Sequence, residues 1–183
     1  MAREEVERLS ILVQSMLDFY RPARSGQQTA NVRAVLERDL ALADQKLRYN
    51  QVETILHCPA ESPIVRAPAD QLGQVCLNLI MNAAEAMDTG GTLRIEVEPI
   101  EQMIEIRFRD TGAGMPPEVL AHIFEPFYTT KEEGTGLGLA ISYTLIERQG
   151  GTMQVESEVG RGTLFTIRLP RADEPADEPG KTA

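Results

Sequence analysis

The segment Met103-Ile104-Glu105-Ile106-Arg107-Phe108-Arg109-Asp110 constrains this chain most tightly, because its strict alternation fits one local structure. Ile104, Ile106 and Phe108 fall on one side and Glu105, Arg107 and Arg109 on the other, the period of a strand with one buried face. The same register carries Asp110 inward. A buried carboxylate needs a donor, since leaving such a group unpaired costs about 1–3 kcal/mol or more. No basic residue is obviously placed to serve, so a donor from a ligand is a candidate.

The other elements follow from period and punctuation. A helix is expected from Pro68 through Met87, closed by Gly90-Gly91. Residues 92–98 alternate as the 103–110 segment does, and a short turn between them makes an antiparallel pair. A second helix over 137–149, closed by Gly150-Gly151, precedes strands at 152–158 and 163–169. Upstream, 32–47 reads as a helix with Val35, Leu36, Leu40, Ala43 and Leu47 on one side, followed by strands near 53–56 and 64–66. The 111–136 stretch is rich in loops, with a short helix near 117–123. Several helices with single apolar stripes and a mostly antiparallel sheet predict an α+β fold, a two-layer sandwich with helices on one sheet face.

The ends read differently. Residues 3–20 carry Val6, Leu9, Val13, Met16 or Leu17, and Tyr20 at helical spacing up to Arg21-Pro22. Residues 25–30 are a polar linker, 31–170 the main domain, and the acidic, Pro-containing 171–183 a disordered tail. With 183 residues, one domain plus extensions is expected. A formal charge of −10, from 28 acidic and 18 basic residues, disfavours generic binding to nucleic acid or anionic membrane. Cys58 and Cys76 are too few for a disulfide framework, and no apolar run reaches the roughly 20 residues that span a bilayer, so a cytoplasmic setting is expected.

Four groups of residues carry chemistry. Asn78 and Asn82 lie four apart along the edge of a buried helix stripe, where each costs about 0.5 kcal/mol relative to Ala. Their amides either cap nearby backbone or supply oxygens to a hard cation such as Mg²⁺ or donors to phosphate. Gly112 and Gly114 after Asp110 permit close backbone approach to a flat ligand, or form a plain tight turn. The letters Asp-Thr-Gly also resemble the catalytic turn of retroviral-type aspartic proteases, but the charged approach strand does not suit that family. Gly134-Thr135-Gly136-Leu137-Gly138 opens a helix whose free N–H groups suit phosphate, although it fits neither the dinucleotide fingerprint nor a P-loop. Lys131 just before it is either a phosphate partner or solvated. Thr163 shares the inward register of Phe165, Ile167 and Leu169, its hydroxyl bonded to backbone or to something else.

Taken in order, these groups resemble the ATP-binding catalytic domain of sensor histidine kinases, in the wider group of gyrase, the Hsp90 chaperones and the mismatch-repair ATPases. The match covers about 31–170: Asn78-Leu-Ile-Met-Asn82-Ala looks like the N box, Asp110-Thr-Gly-Ala-Gly114-Met the G1 box, Phe124-Glu-Pro-Phe127 the F box and 134–138 the G2 box. The resemblance implies ATP and Mg²⁺ as ligands. Asp110 would accept from the adenine amino group, with Thr163 supporting it through water. Ala86, Gly112, Gly114 and Met115 would shape the base pocket, Asn82 and Asn78 would bind the metal, and Lys131, Gly134, Thr135, Gly136, Leu137 and Gly138 would meet the phosphates. Residues 115–135 would form a lid anchored by Phe124 and Phe127.

The resemblance also implies a reaction class. In the hydrolytic relatives the first N-box position is a carboxylate that activates water, whereas Asn78 cannot serve as a base at neutral pH. Transfer to another acceptor is therefore expected. Residues 9–22 resemble the end of the second helix of the dimerisation hairpin in nitrogen-sensor-like kinases, so the implied partners are a hairpin bearing the phosphoacceptor histidine and a response regulator. Neither His57 nor His122 sits in an acceptor-like context. Many such kinases place Lys and an aromatic residue after the second N-box Asn, where this chain has Ala83-Ala84-Glu85-Ala86. Lys131 is the expected substitute. A serine kinase of the anti-sigma type and a nucleotide-gated interaction module are the alternatives.

Overall fold

A computed structural model describes residues 29–61, 63–131 and 134–172. The elements in chain order are β1 (Ala30–Asn31), α1 (Val32–Tyr49), β2 (Val52–His57), β3 (Ile64–Val65), α2 (Ala69–Ala86), β4 (Gly91–Ile100), β5 (Met103–Asp110), α3 (Pro117–Leu120), α4 (Gly138–Arg148), β6 (Thr152–Glu158) and β7 (Gly162–Pro170). The main sheet has the order β2-β4-β5-β7-β6. Its β2–β4 pair is parallel and the others are antiparallel. The expected α+β sandwich is the observed architecture, with α1, α2 and α4 over one face.

The alternation of β5 explains why the layers meet as they do. Ile104, Ile106 and Phe108 are at most 2% exposed and pack beneath α2, whose Leu72, Val75, Cys76, Leu79 and Ile80 are equally buried. Each such apolar side chain contributes about 1.5–3 kcal/mol by leaving water. On the other sheet face the charged positions of β5 form a ladder: Arg168 Nε donates to Glu105 Oε2 at 2.7 Å, and Arg107 reaches Glu98 at 3.0 Å. One strand thus carries both an apolar face and an ion-paired face. Buried Asp39, held by Arg38 at 2.9 Å, sits between α1 and α2.

Several boundaries differ from the sequence expectation. Ala30, placed in the linker, pairs with Val65 in a small β1–β3 sheet. Arg171 and Ala172, placed in the tail, join the fold through a bridge to Val65 and a bond from Ala172 N to Ile64 O at 2.9 Å. Ala172 is buried, which is reason enough for the chain to stay ordered there. The short helix expected to reach 123 ends at Leu120 and continues as turns. The expected 3–20 helix, residues 25–28 of the linker and the tail from 173 onward lie outside the described residues. Among the described residues no helix is long and apolar enough to cross a membrane.

Candidate functional site

A cleft of about 430 Å³ opens between α2, the end of β5, the loops at 111–116, 121–131 and 134–137 and the start of α4. Asn78, Asn82, Ala86, Asp110, Gly114, Met115, Lys131, Gly134, Thr135, Gly136, Gly138 and Thr163 all line it. Gly112 and Leu137, also expected there, do not. Gly112 lies behind the wall, where a Cβ would meet the Ala86 carbonyl oxygen at 2.6 Å. Leu137 caps α4 instead.

The two ends of the cleft are spaced by α2, because Asn78 and Ala86 are eight residues apart, about 12 Å at the helical rise. At one end stands Asp110, 5% exposed. The inward register is as expected, but its donors are backbone groups: Gly112 N at 2.8 Å and Thr163 N at 3.1 Å, both on Oδ1. Oδ2 accepts no bond among the described residues, so one oxygen is pinned and the other remains to accept. Burial pushes the carboxyl above the usual carboxylate range, opposed by the bonds from Gly112 and Thr163. The Thr163 hydroxyl bonds to Ser157 Oγ at 2.9 Å rather than to backbone. Ser157 also accepts from Met115 N at 2.8 Å and lies 3.1 Å from Gly162 O, so it ties the loop after Asp110 to the β6–β7 turn.

At the other end the N-box amides do not cap backbone. Asn78 Nδ2 donates to Ser142 Oγ at 3.0 Å and Asn82 Nδ2 makes a long 3.5 Å bond to Asn78 Oδ1. Lys131 Nζ donates to Asn82 Oδ1 at 3.0 Å and pairs with Glu85. Helix α4 starts beside Asn78 without a side-chain cap, leaving its first N–H groups at the cleft. Its positive end and the Lys131 ammonium favour an anion.

The two residues expected to anchor a lid differ from each other. Phe124 packs on Tyr143 with ring centroids 4.9 Å apart, as expected of an anchor. Phe127 does not: its φ of 68° turns the side chain into solvent, 63% exposed, and only its N–H holds, to Gly136 O at 3.0 Å. Buried Ile123 fills the core in its place. His122 lies 2.8 Å from Glu125, with its ring half exposed on the surface. His57 is also exposed, 3.8 Å from Glu96.

Sequence reading missed Glu85, Ser142 and Ser157. Signals existed for two of them: Glu85 follows Asn82 by one turn on the same face, and Ser157 continues the inward register of Met153 and Val155.

Residues 67–173 match the family described as Histidine kinase-, DNA gyrase B-, and HSP90-like ATPase. The chain is 33% identical to sensor histidine kinase ZraS of Escherichia coli (strain K12) over 167 residues, 91% of this chain and 36% of that protein. It is 34% identical to sporulation kinase E of Bacillus subtilis (strain 168), covering 91% of this chain and 23% of that one. The chain therefore spans little more than a third of these relatives at most. Among solved structures, the nucleotide-free catalytic domain of histidine kinase ThkA is similar with a TM-score of 0.71 at 29% identity, over 79% of this chain and 95% of that one. Full-length ShkA in complex with AMPPNP is similar with a TM-score of 0.80 at 29% identity, over 95% and 38%. ThkA in complex with response regulator protein TrrA gives 0.76 at 26% identity, over 93% and 49%.

Proposed function

The chain belongs to the histidine kinase-, DNA gyrase B- and HSP90-like ATPase family, and from that premise we propose that it is the ATP- and Mg²⁺-binding catalytic part of a sensor histidine kinase. It hands the γ-phosphoryl to a histidine on a dimerisation hairpin, from which a response regulator takes it. The observation that carries this reading is the Asp110 carboxylate, with Oδ1 fixed by two backbone N–H groups and Oδ2 turned to accept at one end of a cleft whose other end suits an anion. Oδ2 accepts from the amino group of adenine, while Gly112 and Thr163 hold Oδ1.

Asn82 and Asn78 offer neutral amide oxygens, a donor type that suits Mg²⁺. The metal supplies charge neutralisation on the phosphates when bound. The chain's own groups do the positioning: the α4 start and Lys131 hold the phosphates, and Asn78, bonded to Ser142, offers no base to activate water. Transfer by positioning and electrostatics follows. Similarity to a structure holding AMPPNP and to one holding a response regulator supports both the nucleotide and the partner.

The test is incubation with a separate histidine-bearing hairpin and γ-labelled ATP. Acid-labile, base-stable label on the hairpin is the expected result. Acid-stable label on a serine would indicate the anti-sigma type of kinase, and nucleotide binding without label a nucleotide-gated interaction module.

A further inference from the structure

Glu85 is out of place in a site for a polyanion. It follows Asn82 by one turn of α2, lines the same end of the cleft and is 37% exposed. A carboxylate there repels phosphates, and neither base nor phosphate binding requires it. Its partner is informative. The Lys131 ammonium is held between Asn82 Oδ1, at 3.0 Å, and the Glu85 carboxylate. Two oxygens from successive turns therefore already converge on a cation. An ammonium is a compact, strongly hydrated point charge, and amide and carboxylate oxygens are equally the ligands of a hard divalent ion.

We infer that Glu85 makes nucleotide binding by this cleft conditional on a divalent cation, with Lys131 holding that cation's seat while the cleft is free of nucleotide. Asn82 and Glu85 exchange the ammonium for the metal, and Lys131 becomes available to phosphate oxygens. Without metal, Lys131 must either stay with Glu85 and be denied to the phosphates, or leave Glu85 bare beside them. Either choice weakens metal-free nucleotide. The inference rests on the cleft being the Mg²⁺–nucleotide site proposed above, and it adds a residue that sets the coupling between the two ligands.

That coupling is a measurable quantity, typically worth roughly 5- to 150-fold in affinity between two linked ligands. ADP is titrated calorimetrically into wild type, Glu85→Gln and Lys131→Met, in Mg²⁺ and in EDTA, with adenosine as a third ligand. The ratio of the Kd in EDTA to the Kd in Mg²⁺ should fall about tenfold in Glu85→Gln, within that coupling range. It should rise in Lys131→Met, where the carboxylate has lost its counter-ion. A ratio unmoved by Glu85→Gln, or moved in the same direction by both variants, overturns the inference while ADP binding by the wild type leaves the nucleotide reading standing. Wild type that takes up neither ADP nor adenosine overturns both. Should Glu85→Gln lose adenosine as well, Lys131→Met alone decides, and a ratio that does not rise refutes the proposal.

Discussion

At the Asp110 end of the cleft the acceptor residue is 5% exposed and held by the backbone of Gly112 and Thr163; at the Lys131 end the side chain is half exposed and its ammonium held by two side chains. Backbone donors fixed by a turn and a strand cannot rearrange without moving the fold. Side chains on a helix surface exchange partners at little cost, since exposed ion pairs contribute about 0–1 kcal/mol. On the proposed reading the base lies at the first end and the phosphates at the second, so the base end would serve selection and the phosphate end exchange of charge.

Two glycines separate the two ends of the cleft most strongly. A Cβ at Gly112 would lie 2.6 Å from the Ala86 carbonyl oxygen, and one at Gly138 would lie 2.5 Å from Asn78 Oδ1. The distances match, but the first neighbour is backbone and the second a side-chain tip. Gly112→Ala should cost about 3 kcal/mol, in the range of overpacking, and abolish adenosine binding. Gly138→Ala should leave thermal stability within about 1 kcal/mol, helped by the better helix former, and weaken ADP more than adenosine. Thermal melts and titrations check both, and equal losses at the two positions would contradict the distinction.

Ser157→Ala comes next. It removes the acceptor for Met115 N and the partner of the Thr163 hydroxyl, so a loss of about 1–2 kcal/mol is expected, with adenosine weakened through Asp110's neighbours. Lys131→Ala should weaken Mg²⁺–ATP about tenfold, equivalent to 1.4 kcal/mol, and leave adenosine unaffected. Equal loss for both ligands would count against its place at the phosphates.

The smallest effect is in pH. Burial raises the folded carboxyl of Asp110 above its ordinary 3.8. A raised folded value favours the protonated fold, so this group's stabilisation is complete below 3.8 and is lost as pH rises through the raised value. Asp110→Asn should thus melt higher than wild type at neutral pH, and that advantage should shrink in acid. Adenosine affinity of the wild type should fall on acidification through the same range, because acceptance needs the ionised form. A pH-independent difference in melting would remove the linkage.

The base end was the more legible in sequence because strand alternation fixes direction: Asp110 and Thr163 could be placed inward from β5 and β7 alone. Its donors could not be read, since the N–H groups of Gly112 and Thr163 are backbone, and every residue but proline carries one. At the phosphate end the residue types were legible and their pairing was not. Asn82, Glu85 and Lys131 meet across 46 or more residues of chain, and local periodicity carries no information about such contacts. The two-residue strand β1 leaves no period at all, and its Ala30 reads as linker. Phe127 shows the converse, an apolar letter whose positive φ sends it into solvent. Helix extents were read closely: α4 stops at its Gln149 cap directly before Gly150-Gly151, a local terminator, and α2 ends at Ala86, beside the expected Met87.

In the proposed function Asp110 selects the base. Calorimetric titration of Mg²⁺–ADP and Mg²⁺–GDP into wild type and Asp110→Asn tests it most directly. The amide can still accept from Gly112 and Thr163 through its oxygen, but it would then present a donor to the adenine amino group. Wild type should bind ADP in preference to GDP, and the substitution should erase that preference at a cost of about 1.5–3 kcal/mol for ADP, the value of a hydrogen bond to a charged group. No binding of ADP by the wild type, or an adenine preference that survives Asp110→Asn, would contradict the account.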